Sequence, residues 1–83
     1  MSDPAAKRLG APTAVTVRTG QGGIPAAVNG AVVEAVREEW VVEDRWWTAQ
    51  PVRRRYFDLV LSDGRDISVF CDIGRRRWFS QRA

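Results

Sequence analysis

Two runs of three arginines, Arg53–Arg55 and Arg75–Arg77, are the residues in this chain best placed to do chemistry. Each is followed at once by aromatic residues, Tyr56–Phe57 after the first and Trp78–Phe79 after the second. The doublet Trp46–Trp47 precedes the first run. A guanidinium presents a planar fork of donors that fits phosphate oxygens, and it also stacks on rings. Cations beside aromatic platforms are the usual make-up of single-stranded nucleic acid sites, where each stacked base contributes about 1–3 kcal/mol. On this reading the candidate contact residues are Trp46, Trp47, Arg53, Arg54, Arg55, Tyr56, Arg75, Arg76 and Arg77. A second reading stays open. The segment 34–44 carries Glu34, Glu38, Glu39, Glu43 and Asp44 against a single arginine, Arg37. Those carboxylates could meet the arginines across neighbouring strands, setting register with pairs of about 0.2–1 kcal/mol each.

Other chemistry is poorly provided for. The chain has one cysteine, Cys71, and no histidine. No intrachain disulfide can form, and an ordinary zinc site, with its roughly four nitrogen or sulfur ligands, cannot be assembled. Cys71 also lacks a histidine to activate it as a nucleophile. Alternation groups it with Ile67 and Val69, as a buried thiol. Asp63 with Asp66, or Asp58 with Asp72, could serve acid–base catalysis in principle. Asp63 is better explained by the turn it begins, and Asp58 by pairing with a neighbouring arginine. The expectation is a non-catalytic protein without metal, cofactor or small-molecule substrate.

These residues must be positioned by few elements. The 83 residues make one small domain with net charge +3, and arginine outnumbers lysine twelve to one. A chain of this size has a small core, to which four tryptophans, three phenylalanines and a tyrosine are expected to contribute heavily. Residues 1–12, MSDPAAKRLGAP, read as a disordered arm, and 13–83 as a single β domain. Val15 and Val17 alternate with polar residues in a first strand over 14–19. Residues 24–28 form a second, placed at a sheet edge by Pro25. Asn29-Gly30 then suits a type I′ hairpin turn. The run 31–43 is compatible with helix or strand; the turn before it favours a long strand. Trp40 shares the parity of Val32 and Val36, and Trp78 lies in the closing strand, so both are assigned to the core. Residues 52–61 form the clearest strand, with Arg55, Phe57, Leu59 and Leu61 on one face. A two-residue turn at Asp63-Gly64, a strand over 66–72, a turn near Gly74 and a last strand complete the chain. If Trp46 and Trp47 are extended, one ring must point away from the core.

The sum is all-β: a small antiparallel meander of about six strands curled into an SH3-like or OB-like barrel. From Glu39 onward the order EW, DRWW, PVRRRYF, LSDGR, VFCD and RWFSQR resembles a small bacterial domain of unknown function. That domain occurs alone or at the C-terminus of ImuB-type proteins, the catalytically inactive relatives of Y-family DNA polymerases. The resemblance spans about residues 36–82. It implies a setting of DNA repair or replication and supplies no catalytic residues. The expected partner is single-stranded nucleic acid or, alternatively, a repair or replication protein. Homodimerisation through the Pro25 region or the 31–42 strand is a third reading. No apolar run is long enough to span a membrane, and a reduced cytoplasmic compartment is expected.

Overall fold

A computed structural model describes residues 12–44, 49 and 52–81, with the side chain of Asp44 excepted. The expected arm, apart from Pro12, lies outside the described residues, as do Trp46 and Trp47. Seven strands are present: β1 (Thr13–Ala14), β2 (Val17–Thr19), β3 (Pro25–Val28), β4 (Ala31–Asp44), β5 (Val52–Leu61), β6 (Asp66–Asp72) and β7 (Arg77–Gln81). All neighbouring pairs are antiparallel, in the order β1-β7-β6-β5-β4-β3-β2. The all-β meander expected from the alternation is therefore the fold.

The expected first strand is divided in two. Residues 13–14 pair with β7 and residues 17–19 pair with β3. Between them the Val15 N–H donates to the Trp78 carbonyl at 3.1 Å, and the Thr16 carbonyl accepts from the Asn29 N–H at 2.7 Å. One short stretch thus touches both ends of the strand order, and the sheet curls into a half-barrel. Asn29 and Gly30 have φ of 48° and 85°, as a type I′ turn requires. The β5–β6 turn is one residue longer than expected. The Gly64 N–H donates to the Leu61 carbonyl at 2.9 Å and the Leu61 N–H to the Arg65 carbonyl at 2.8 Å. Gly64, at φ 89°, takes the left-handed position of a three-residue loop. The Asp63 carboxylate accepts the Arg65 N–H at 3.1 Å, which holds its pKa below the usual carboxylate value.

The ambiguous run 31–43 is strand throughout, but it is not regular. Its register against β5 slips between Val33 and Ala35 and again between Val36 and Glu38. Each slip inserts one extra residue, Glu34 and Arg37, and so breaks strict alternation. Val33 and Val36 consequently lie opposite Leu61 and Leu59 on the core side, whereas Trp40 lies opposite Tyr56 on the other. The assignment of Trp40 to the core is thereby corrected: it is 39% exposed. Pro25 is also corrected. It is buried in β3, an interior strand, where it opens the strand opposite Thr19 at a register shift. A missing N–H is tolerated at such a position.

The core consists of Val28, Phe57, Leu59, Leu61 and Val69, with Val15, Val17, Ala31, Val33, Ile67 and Trp78 packed against it. Trp78 is core-facing as expected, its ring 5.7 Å from that of Phe57. The remaining described aromatics are elsewhere, so the core is chiefly aliphatic. Cys71 shares the face of Ile67 and Val69 but is only half-buried. Among the described residues no helix is long and apolar enough to cross a membrane.

Candidate nucleic-acid interface

Strand register assembles an aromatic row on the outer face of the sheet. Trp40, Tyr56, Phe70 and Phe79 are direct partners across β4, β5, β6 and β7. Successive ring centroids are 5.3, 5.0 and 5.3 Å apart. Trp40 and Tyr56 are nearly parallel, at 6°. Parallel rings that close cannot lie side by side in one plane; they overlap face to face with an offset. The rings therefore lean on one another, and the inner ones are occupied on both sides. Phe70 is only 2% exposed although it faces away from the core. Among the described residues Trp40 ends the row and is 39% exposed.

The row is flanked asymmetrically. Toward the β6–β7 turn, the adjoining cross-strand set is Val42, Arg54, Asp72 and Arg77; on the opposite side it is Glu38, Asp58, Ser68 and Gln81. One flank is thus cationic and the other acidic. Arg54 lies with its guanidinium carbon 4.8 Å from the Phe70 centroid, and its Nη1 donates to the Tyr56 hydroxyl at 3.5 Å. Its Nε is buried without an acceptor among the described residues. Asp72, directly opposite, forms no ion pair with Arg54 among the described residues; the Asp72 carboxylate accepts the Arg75 N–H at 3.2 Å, and its carbonyl accepts the Arg76 N–H at 2.7 Å. Arg75, Arg76 and Arg77 are exposed, and none of them forms an ion pair among the described residues.

The two arginine runs meet at one end of the sheet. The Ile73 N–H donates to the Arg53 carbonyl at 3.0 Å, seating the β6–β7 turn beside the start of β5. Alternation then divides the first run between the two roles it was expected to fill. Arg53 and Arg55 lie on the core side and hold carboxylates: Arg53 Nε is 2.8 Å from Glu43, and Arg55 Nε donates to Glu39 at 2.6 Å. Arg55 also donates to the Gly22 carbonyl at 2.9 Å and lies over the Phe57 ring at 4.9 Å. Arg54 alone turns outward, next to Tyr56. Arg55 and Arg76 line a cleft of about 370 Å³ at the barrel mouth, together with Cys71, Ile73 and Trp78. Burial pushes the Cys71 thiol pKa up, and nearby Asp72 adds to the effect. The thiol is therefore neutral at ordinary pH. Among the described residues Asp58 has no arginine partner of the kind expected; it accepts the Ser68 hydroxyl at 2.7 Å. Among the described residues no group of three or more histidine, cysteine or carboxylate side chains could hold a metal ion.

Of the residues expected at the site, Arg54, Tyr56 and Arg77 share the outer face, Arg75 and Arg76 lie in the adjoining turn with Arg76 lining the cleft beside Arg55, and Arg53 and Arg55 are committed to Glu43 and Glu39. Three residues were not anticipated: Trp40, Phe70 and Phe79. Phe70 and Phe79 had a signal, since each sits off the parity of its core neighbours Val69 and Trp78. Trp40 had none, because its side depends on two bulges. No protein-family model, curated protein or solved structure matches this chain.

Proposed function

We propose that this protein is a non-catalytic accessory module that binds single-stranded nucleic acid. The observation that carries this reading is the meeting of both arginine runs at one end of the sheet, where Arg54 and Arg77 flank the aromatic row and neither they nor Arg75 and Arg76 of the adjoining turn have a carboxylate partner among the described residues. Arg54, Arg75 and Arg77 supply phosphate contacts. Trp40, the open end of the stack, supplies a face for a base. The acidic flank around Glu38 and Asp58 repels phosphate and so gives the strand one side to follow. A setting of DNA repair or replication is part of the same proposal, suggested by the resemblance of residues 36–82 to the domain found in ImuB-type proteins.

Titration of an oligothymidylate against tryptophan fluorescence at several salt concentrations tests it. Quenching is expected, with log affinity falling by roughly 0.7 per phosphate contact for each log unit of salt. The double change Arg75→Ala and Arg77→Ala should lower that slope by about 1.4, two contacts' worth, and leave the melting temperature nearly unchanged. Absence of quenching at low salt, or an unchanged slope in the double variant, would overturn the reading.

A further inference from the structure

The rim of β4 is a second surface, independent of the arginine end. β3 pairs with β4 only at Ala31 and Val32. Beyond that point β4 has a partner on one side alone, β5, among the described residues. The direction of its free groups follows from the ladder. The Arg53 carbonyl and the Leu61 N–H both point away from β4, toward β6 and its turn. In β5, odd-numbered residues therefore bond on the β6 side and even-numbered ones on the β4 side. Tyr56 and Arg54 face Trp40 and Val42, so in β4 it is Glu39, Val41 and Glu43 whose N–H and carbonyl groups point to the open rim. From Glu38 to Asp44 the register has no slip. Among the described residues this is a regular, unpaired strand edge of the kind that accepts an added strand.

Its side chains state what that strand should carry. Val41, Trp40 and Val42 are exposed, Val41 at 52%. Glu38, Glu39 and Glu43 surround them. Glu38 lies directly opposite Asp58, a like-charge pair that destabilises the sheet unless a cation stands beside it. Among the described residues Glu38 has no cationic partner. A second copy of this chain fits badly. Antiparallel self-pairing about Val41 would set Glu39 against Glu43 twice and Glu38 against Asp44 twice. β5 shows what β4 does accept, since it sets Arg53 against Glu43, Arg55 beside Glu39 and Tyr56 against Trp40.

We propose that the 38–44 rim of β4 binds an extended basic segment of another protein by antiparallel strand addition. One of its cations supplies the partner Glu38 lacks, others lie beside Glu39 and Glu43 in addition to the pairs these make with Arg55 and Arg53, an aromatic residue lies against the exposed part of Trp40, and apolar residues cover Val41 and Val42. The probe is the acetylated, amidated heptapeptide Thr-Arg-Val-Val-Tyr-Arg-Lys, titrated into the intact protein and followed by amide chemical shifts and hydrogen exchange. Binding should perturb and protect the amides of Glu39, Val41 and Glu43 and weaken with salt. N-methylation of the peptide amides that face the rim should weaken binding by about tenfold or more, the worth of one or two backbone hydrogen bonds. Val41→Pro should do the same without unfolding the protein, because the N–H it removes points outward. If Val41→Pro does unfold it, the methylated peptide still decides. Equal binding of the methylated and plain peptides, shifts confined to the β6–β7 turn, or concentration-dependent dimers that protect the same amides would overturn the proposal.

Discussion

Arg76 sits at φ 57°, a left-handed conformation that a residue with a Cβ adopts at a cost of about 1–2 kcal/mol. The four-residue turn between Asp72 and Arg77 would be served more cheaply by glycine at that position. Its guanidinium, meanwhile, lines the cleft at the barrel mouth beside Arg55 and Trp78. Backbone comfort and side-chain placement thus oppose each other at one residue, and they can be read separately. Arg76→Gly should raise stability by about 0.5–1 kcal/mol, seen as a melting temperature several degrees higher for a domain of this size. The same variant should bind oligothymidylate more weakly than the parent. A variant that is destabilised would show that the side chain holds the turn; one that is stabilised with undiminished binding would remove Arg76 from the interface.

At the level of the strands, the outer row makes each ring's environment depend on its neighbours. Tyr56 is flanked by Trp40 on one side and Phe70 on the other. Tyr56→Leu keeps an apolar side chain but deletes two ring contacts, each worth about 0.5–1.5 kcal/mol beyond area. A loss of about 1–3 kcal/mol is expected in urea unfolding, with reduced near-ultraviolet circular dichroism from Trp40. The strands themselves were legible where alternation ran without interruption. β5 and β6 were assigned with the correct residues on the core face, and Asn29-Gly30 fixed its turn through the positive φ both residues tolerate. β4 was legible as a strand only through the turn before it. Its two bulges exist only in its register against β5, which no local pattern reveals, so strict alternation puts Trp40 on the wrong side. Pro25 was misread for a related reason: a register slip opposite it relieves the need for its N–H, and that slip belongs to the partner strand. The candidate site suffered likewise. The six arginines were visible, but which of them would meet carboxylates depended on the face each took.

For the whole molecule, stability rests on a short aliphatic core with one fully buried ring at its centre. Phe57 is completely inaccessible, packs on Trp78 and lies under the Arg55 guanidinium. Phe57→Ala should cost about 3–5 kcal/mol, against a total of about 5–15 kcal/mol for a domain of ordinary stability. The urea midpoint should fall to a small fraction of the parent value, or the variant should be unfolded without denaturant. Curling the sheet has a different effect on the chain's outline. Thr13 and Ser80 are cross-strand neighbours, so the backbone arrives and departs at almost the same spot. A host polypeptide could receive the domain within a surface loop, or trail it from either terminus, without stretching across the barrel. The entropy of bridging so small a gap is slight. The same closeness permits circular permutation, with new ends opened at the exposed β5–β6 turn around Asp63.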